Sequence, residues 1–275
     1  MKLSGIDRVR ERLAHIHARK SIGIMTHTVI GYPSVTDCTR TVRTMADNGA
    51  DYIELQIPFS DPIADGPVIL NANQRSLAQG MTVKKCFEFM KHMRELTDIP
   101  LLFITYANIP FQYGIEAFCK QAAASGAAGI IVPDLPFDDA EGLYIAAKKA
   151  GICSVPVVSE VTSPERFAAI DEVATGFIYV TARIGVTGAK TSSDGIKPFL
   201  KRVKKRSNTP LAVGFGIASA TQVRDLVSHA DIAVIGSHLV TLSERKKDAP
   251  DAIAGFMKSI SFPLSYTAIA KKNKK

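Results

Sequence analysis

The sequence has few of the features that mark secreted, membrane-spanning or metal-binding proteins. Its four cysteines lie far apart, with no CxxC or Cys/His spacing, which argues against disulfides and against a metal site. No segment approaches the roughly 18 consecutive apolar residues that a membrane span requires. The N-terminal segment MKLSGIDRVRERLAHIHARK is charged and lacks the apolar core of a signal peptide. We therefore expect a cytoplasmic protein.

Sequence motifs for nucleotide binding are also missing, because the chain contains neither a GxGxxG nor a Walker pattern. The net charge of +8 could suit nucleic acid, but the basic residues are dispersed apart from short clusters such as KRVKKR at 201–206 and KKNKK at 271–275. No aromatic residues interleave with them, so a solvated helix face and a frayed tail are the simpler interpretation. An anionic small-molecule substrate would also suit a basic protein.

Short apolar segments alternate with helical patterns along almost the whole chain. The apolar segments are hydrophobic on both faces, as parallel strands covered by helices must be. The predicted strands span 22–30, 51–57, 100–106, 129–132, 153–158, 176–182, 210–216 and 231–236. The predicted helices span 36–50, 83–97, 115–126, 138–151, 163–174, 196–206, 220–230 and 250–260, and the N-terminal segment is also helical in its periodicity.

Eight β-then-α units in one chain favour an α/β fold of the (β/α)₈ TIM barrel type, with the N-terminal helix as an addition. A doubly wound sheet is the alternative, although it seldom needs eight strands. No linker or change of composition divides the chain. We predict one domain over residues 1–263, followed by a flexible basic tail at 264–275.

A barrel places its active site at the carboxyl ends of the strands, and three glycine-bearing loops fall there late in the chain. These loops are GVTG (185–188), GFGIAS (214–219) and GSHL (236–239). Glycine lets the backbone approach an anion closely, and the hydroxyl of Ser237 could add a contact. A glycine at a strand end can also be a simple turn, but the three loops together predict a phosphate site.

The segment ELQIPFSDPIADGP contains three acids, Glu54, Asp61 and Asp65, of which Glu54 and Asp65 are the candidate catalytic residues. Strand alternation puts Glu54 and Gln56 on the face opposite Leu55, so the two polar side chains should point into the barrel near its top. Asp65 follows in a loop stiffened by prolines. A buried carboxylate suits general acid–base chemistry. The alternatives are a structural Glu54 paired with a lysine or arginine and an Asp65 that only caps the loop.

The segment ELQIPFSDPIADGPVILNANQRSLAQGMT closely resembles the signature of the tryptophan synthase α subunit family. The resemblance continues in order through GYP, YAN, FQYGIEAF, VPDLP, RIGVTG, GFGI and IGS. It implies a barrel lyase that cleaves indole-3-glycerol phosphate to indole and glyceraldehyde 3-phosphate in tryptophan biosynthesis. It also implies an α2β2 heterotetramer whose β partner alone carries PLP, with no cofactor in this chain.

The same resemblance implies a role for individual residues. Glu54 resembles the catalytic acid/base, and Asp65 resembles the loop carboxylate that meets the indole N–H. Thr187 resembles the residue that orients Asp65 when its loop closes, and Tyr179 resembles a tyrosine near the catalytic acid. The implied substrate-binding positions are Gly188, Phe215, Gly216, Gly236 and Ser237, and Tyr106, Asn108 and Asp134 match positions used at the partner interface or for communication with the partner.

Three departures from the family pattern cluster on the indole side. Gln56 stands where the family keeps a glycine, His27 stands where the indole pocket is usually apolar or aromatic, and Leu70 replaces a polar residue. We count His27 and Gln56 among the candidate substrate-binding residues. Two alternatives stay open: a related phosphate-sugar lyase with altered indole-side specificity, and a subunit that mainly activates its β partner.

Overall fold

The computed structural model describes residues 3–139, 141–181, 196–214 and 216–261. The predicted tail at 264–275 lies outside these residues. The strands are β1 Gly23–Val29, β2 Tyr52–Gln56, β3 Leu101–Ile104, β4 Gly129–Ile131, β5 Cys153–Val155, β6 Val157–Ser159, β7 Ile178–Thr181, β8 Leu211–Gly214 and β9 Ile232–Ile235. The helices are α1 Gly5–Ala18, α2 Val35–Asp47, α3 Pro67–Ala78, α4 Val83–Leu96, α5 Asn108–Tyr113, α6 Ile115–Ser125, α7 Glu141–Lys149, α8 Pro164–Val173, α9 Lys197–Lys204, α10 Ala220–Leu226, α11 Ser237–Ser243 and α12 Ala249–Ile260.

The predicted barrel is confirmed, with one difference in its strand count. All strands pair in parallel in the order β5-β4-β3-β2-β1-β9-β8-β7-β6, so the sheet ends on two strands that are consecutive in the chain. The single strand predicted at 153–158 is divided at Pro156, which has no N–H to donate. The carbonyl of Pro156 still accepts from the N–H of Tyr179, which carries the pairing across the break.

Three of the described helices were not predicted from the sequence. Helix α3 begins at Pro67 in the first turn, directly after Gly66, and follows the loop that carries Asp65. Helices α5 and α11 have only 6 and 7 residues, respectively, which is too short for a periodic apolar pattern. Helix α11 starts at Ser237, where we had expected only a loop.

Strand alternation divides the side chains into two layers. The inward layer is apolar in its lower part, where Met25, Tyr52 and Leu102 pack together. Higher in the barrel the same face of β1 and β2 is polar. His27 of β1 pairs in register with Glu54 of β2, and Gln56 follows Glu54 two residues later on β2. The outward layer packs against the helices and forms the largest hydrophobic cluster. The polar upper part of the barrel is where the candidate site lies.

Helix α1 closes the amino-terminal end of the barrel. Its buried residues Val9, Leu13 and Ile16 belong to the same cluster as the lower barrel interior. The hydroxyl of Tyr52 donates to the carbonyl of Val9 at 3.0 Å, and Arg19 of the segment that follows the helix pairs with the buried carboxylate of Asp51. These contacts confirm the prediction of an additional N-terminal helix.

Candidate active site

Glu54 lies inside the barrel on β2, as strand alternation predicted, and its nearest polar neighbour is His27 on β1. His27 Nδ1 and Glu54 Oε2 are 3.2 Å apart, and the two residues are 4% and 1% exposed, respectively. Whichever group carries the proton, this contact occupies one atom of each side chain. No lysine or arginine pairs with Glu54 in the described part of the chain, so the alternative of a structural ion pair with one of these residues finds no support there.

Three polar atoms around this pair have no hydrogen-bond partner among the described residues. They are His27 Nε2, Glu54 Oε1 and Gln56 Oε1, and each is buried within the protein. An unpaired buried polar atom costs roughly 1–3 kcal/mol, so folded proteins seldom keep several together without a use for them. Groups of this kind are suited to form hydrogen bonds with a bound substrate.

The second carboxylate, Asp65, approaches the same region from the loop between β2 and α3. Its Oδ2 accepts from Gln56 Nε2 at 2.7 Å and lies 3.4 Å from Asn73 Nδ2. Burial raises the pKa of Asp65, and the hydrogen bonds from Gln56, Tyr106 and Asn73 together with the charge of His27 oppose that rise. The loop therefore holds a partly buried carboxylate within reach of the residues around Glu54.

Asn73 is a site residue that sequence analysis missed. It is fully buried on α3, where its Oδ1 accepts from the N–H of Phe59 at 3.0 Å and its Nδ2 donates to the carbonyl of Ile69 at 2.8 Å. These bonds fix which end of the amide is oxygen. The signal that could have found it is the register of a helix beginning at Pro67, which places Asn73 two turns beyond Asp65.

Two of the residues matched to partner communication also lie beside the Asp65 loop. The hydroxyl of Tyr106, directly after β3, accepts from the N–H of Ala64 at 3.2 Å and bonds to Asp65. Its ring stacks on Phe59 with centroids 5.4 Å apart. Asp134, after β4, accepts from the N–H of Ala107 at 2.9 Å. A continuous set of contacts thus runs from the β4 loop to Asp65. Asn108 is the first residue of α5.

Tyr179 lies inside the barrel on β7, which is four strands away from β2 in the sheet. Burial and the nearby charges of Glu54 and Asp65 raise the pKa of its phenol. A Cβ built on Gly214 of β8 would lie 2.8 Å from the Tyr179 hydroxyl. A side chain at Gly214 would therefore displace the Tyr179 hydroxyl from its present position, a constraint that sequence analysis did not identify.

The predicted phosphate side is only partly described by the structure. Gly216 has a positive φ of 80° after β8, and Gly236 lies between the end of β9 and Ser237, the first residue of α11. A Cβ on Gly236 would lie 3.8 Å from His27 Cβ, so this glycine adjoins the acid pair. Thr187, Gly188 and Phe215 lie outside the described residues.

Helix α11 is braced against the side of the site that carries Asp65. The hydroxyl of Tyr32 donates to Glu244, which directly follows α11, and Arg75 of α3 donates to the same hydroxyl at 3.2 Å. The Arg75 guanidinium also lies 4.9 Å from the centre of the Tyr32 ring. The loop after β1 therefore connects α11 to α3, the helix that follows the Asp65 loop.

Other kinds of site find no support in the described residues. No group of three or more His, Cys, Asp or Glu side chains is arranged there to hold a metal ion. Over the same residues, no helix has both the length and the apolar character needed to cross a bilayer. The polar groups at the barrel mouth are the best-developed candidate site.

Comparisons with known proteins agree with this geometry. The family model described as tryptophan synthase alpha chain matches residues 13–260. The tryptophan synthase alpha chain of Desulfotalea psychrophila is 43% identical over 242 residues, which cover 88% of this chain and 94% of that protein. The protein of the same description from Shouchella clausii is 47% identical over 195 residues, covering 70% of this chain and 72% of that one.

Solved structures give the same result at the level of the fold. A chain of Mycobacterium tuberculosis tryptophan synthase superimposes with a TM-score of 0.87 at 28% identity, covering 96% of this chain and 99% of that one. The match of a family model over most of the sequence, together with relatives above 40% identity, shows the family. The chain belongs to the tryptophan synthase alpha chain family.

Proposed function

We propose that this chain is a carbon–carbon lyase that cleaves indole-3-glycerol phosphate to indole and glyceraldehyde 3-phosphate in tryptophan biosynthesis. The observation that carries the proposal is the pair of carboxylates at one barrel mouth: Glu54 on the strand and Asp65 on the loop, connected through Gln56. The chain works in the cytoplasm, and residues 1–263 form one barrel domain.

The reaction requires two proton transfers and one bond cleavage. A proton is added to C3 of the indole ring, which turns the ring into an electron sink. A proton then leaves the side-chain hydroxyl next to the ring, a C=O bond forms, and the bond between that carbon and C3 breaks. The electron pair returns to the ring, so the products are neutral indole and the aldehyde.

Glu54 is suited to both proton transfers. Its protonated carboxyl group can give a proton to C3, and the carboxylate that results can take the hydroxyl proton, which restores the starting state. Its Oε1 is buried and has no partner among the described residues, so that atom is available to the substrate. Its Oε2 is held by His27. A single carboxyl group with one tethered oxygen can thus serve the reacting carbon and the hydroxyl in turn.

Asp65 stabilises the positive charge that develops on the indole nitrogen when C3 is protonated. A fixed anion in a water-poor site does this better than solvent, because its orientation costs nothing at the moment of reaction. Its hydrogen bonds to Gln56 and Asn73 supply that fixed orientation. Thr187 orients the same carboxylate from the loop after β7 in this proposal, and Tyr179 borders the reacting carbon.

The phosphate end of the substrate is bound by the loops after β7, β8 and β9. Gly216, Gly236 and Ser237, together with Gly188 and Phe215, form the proposed binding residues. The first N–H groups of a helix have no partner within the helix, and Ser237 opens α11. A glycine before that position lets the backbone approach phosphate oxygens. The two ends of the substrate then span the barrel mouth from α11 to the Asp65 loop.

No cofactor is required for this chemistry, because proton transfer and charge stabilisation supply each step. PLP belongs to the β subunit, with which this chain forms an α2β2 heterotetramer and to which it passes indole. Two exposed apolar side chains at the mouth support a partner there: Ile63 of the Asp65 loop is 73% exposed and Phe111 of α5 is 70% exposed. Exposed apolar groups beside an active site are typical of a protein interface.

A related lyase with altered indole-side specificity is the second candidate. The observation that favours it is that His27 Nε2 and Gln56 Oε1 are unpartnered among the described residues. Both atoms lie on the side where the family's pocket is usually apolar. Indole-3-glycerol phosphate analogues with a hydroxyl on the ring would be cleaved faster than the unsubstituted compound if this candidate were correct.

The test is indole release from indole-3-glycerol phosphate, measured with and without a bacterial β subunit. Glu54→Gln should lower kcat by about 10³-fold, in the range expected for loss of a general acid–base group. The amide keeps the size of the side chain, so the unfolding transition should hardly move. Absence of turnover by the unmodified protein in both conditions would overturn the proposed reaction. Turnover seen only with the β subunit would indicate a chain whose main role is in the complex.

A further inference from the structure

The loop that carries Asp65 is tied to the strand that carries Glu54 by one amide side chain. Gln56 is the last residue of β2 and lies two residues after Glu54, so both side chains enter the barrel from the same face. Gln56 is 1% exposed, and its Nε2 donates to Asp65 Oδ2 at 2.7 Å. No other described hydrogen bond joins the side chains of this strand to that carboxylate.

The orientation of the Gln56 amide follows from its surroundings. Its Nε2 also lies 3.3 Å from Asn73 Oδ1, and Asn73 is itself oriented by the N–H of Phe59 and the carbonyl of Ile69. A carboxylate and an amide oxygen can only accept, so the nitrogen of Gln56 must face them. Gln56 therefore presents a donor to Asp65 and cannot rotate without losing two bonds.

We infer that Gln56 is a positioning residue that holds Asp65 at a set distance from Glu54, so that both carboxylates meet the substrate from one rigid unit. This inference rests on the proposed function for what the two carboxylates do. The contact between Gln56 and Asp65 is independent of that function. Without Gln56, the loop carboxylate would keep only the longer bond to Asn73 at 3.4 Å and the contact with the Tyr106 hydroxyl.

The pKa of Asp65 distinguishes a hydrogen-bonding role for Gln56 from a role in which its side chain only fills space. Burial raises the pKa of Asp65 and the bond from Gln56 lowers it. The other groups that act on it are His27 of β1, Tyr106 after β3 and Asn73 of α3, while Tyr179 of β7 faces it across the barrel. Glu54 also faces this region. Removing the Gln56 donor leaves these groups in place, so the pKa of Asp65 should rise.

The experiment compares Gln56→Met, which keeps the length of the side chain and removes the donor, with Gln74→Met. Gln74 is exposed on the same helix as Asn73 and serves as the matched control. The Asp65 carboxyl is titrated by ¹³C NMR, and kcat and KM are measured across pH. We expect Gln56→Met to raise the pKa of Asp65 and to move the acid limb of the kcat/KM profile to higher pH.

At neutral pH, Gln56→Met should lower kcat and leave KM nearly unchanged. Loss of a hydrogen bond to a charged group should lower kcat about tenfold, with KM within about twofold of the unmodified value because the bond matters most when charge develops. In an Asp65→Asn background, Gln56→Met should have almost no further effect on kcat. Gln74→Met should match the unmodified protein throughout.

Other results would overturn the inference. An unchanged pKa for Asp65 in Gln56→Met would mean that Gln56 only fills space. An equal loss of kcat in the Asp65→Asn background would mean that Gln56 does not act through Asp65. If Gln56→Met fails to fold, Gln56→Glu keeps the shape while replacing the donor by an acceptor, and the pKa of Asp65 must then rise. If the unmodified protein releases no indole, the proposed reaction fails, but the titration still decides the role of Gln56.

Discussion

The carboxylates at the two ends of the barrel differ in how fully they are paired. At the amino-terminal end, Asp51 is 1% exposed and is bound by Arg19, by Arg12 at 3.8 Å and by the N–H of Ile24 at 2.9 Å. Asp231, at the same end, lies 3.5 Å from both His17 and Lys204. At the carboxyl-terminal end, His27, Glu54 and Gln56 each keep an atom that no described residue satisfies.

The difference separates stability from function within one fold. A carboxylate surrounded by donors contributes to folding, and its removal leaves those donors unpaired. Polar atoms that stay unpaired cost stability and are kept where a substrate can satisfy them. In a barrel the second kind belongs at the carboxyl ends of the strands, where active sites form. Mutations at the two ends should accordingly change different measured quantities.

The largest effect should come from removing Asp51, the paired carboxylate at the amino-terminal end of the barrel. Asp51→Ala leaves Arg19, Arg12 and the Ile24 N–H without their acceptor, and should lower the free energy of unfolding by about 3 kcal/mol. Urea denaturation followed by circular dichroism measures this loss. The kcat of the folded fraction should stay within about twofold of the unmodified value, because the site lies at the opposite end of the barrel. Asp51→Asn, which keeps an acceptor, should lose less.

A smaller effect is expected from breaking the acid pair at the open end. His27→Phe removes the contact at 3.2 Å that holds Glu54 Oε2, so Glu54 samples more orientations. We expect kcat for indole release to fall about tenfold, the size of one lost hydrogen bond to a charged group. His27→Asn places an amide near the position of Nδ1 and should recover part of the rate. Equal loss in both variants would contradict an orienting role for His27.

The smallest effect should be a gain of stability at the open end. Burial raises the pKa of Asp65 above its ordinary value of 3.8, so its ionised form is disfavoured in the folded state. The protein then loses stability as the pH rises from 3.8 through the raised pKa. Asp65→Asn removes this loss and should raise Tm at pH 8 by on the order of 2 °C.

The gain from Asp65→Asn should shrink toward zero as the pH falls to 3.8, where the carboxyl group of the unfolded chain also becomes protonated. Thermal denaturation at pH 4 and pH 8 tests the sign. Asp61→Asn, at an exposed position of the same loop, should change Tm little at either pH. A lower Tm for Asp65→Asn at pH 8 would mean that its hydrogen bonds outweigh its burial.

Much of the architecture followed from local pattern. Apolar strands alternating with helices predicted the barrel, and strand alternation placed Glu54 and Gln56 inside it. The break at Pro156 was not predicted, because the apolar segment around it reads as one strand and only pairing shows where the ladder loses a donor. Helix α3 was missed because its first residues, PVIL, are apolar on every side and hide the helical period.

The site was predictable by residue type but not by contact. The sequence shows that Gln56 stands where the family keeps a glycine, but it does not show what Gln56 contacts. That contact depends on the path of the proline-rich loop, which brings Asp65 back to β2. The pairing of His27 with Glu54 required the register between β1 and β2. Predicting the role of Asn73 would have required both helix α3, which was not predicted, and the path of the Asp65 loop. Such contacts depend on tertiary placement that local pattern does not encode.

Helix α1 has a consequence for the order in which the protein is made. Helix α1 docks through Arg8 onto the carbonyls of Gly126 and Ala127, and through His17 onto Asp231. Its N–H at Ile6 binds the carbonyl of Gly151. These sites are synthesised long after the helix itself, and such distant contacts form slowly. Helix α1 therefore cannot complete its docking until the residues up to Asp231 have been translated.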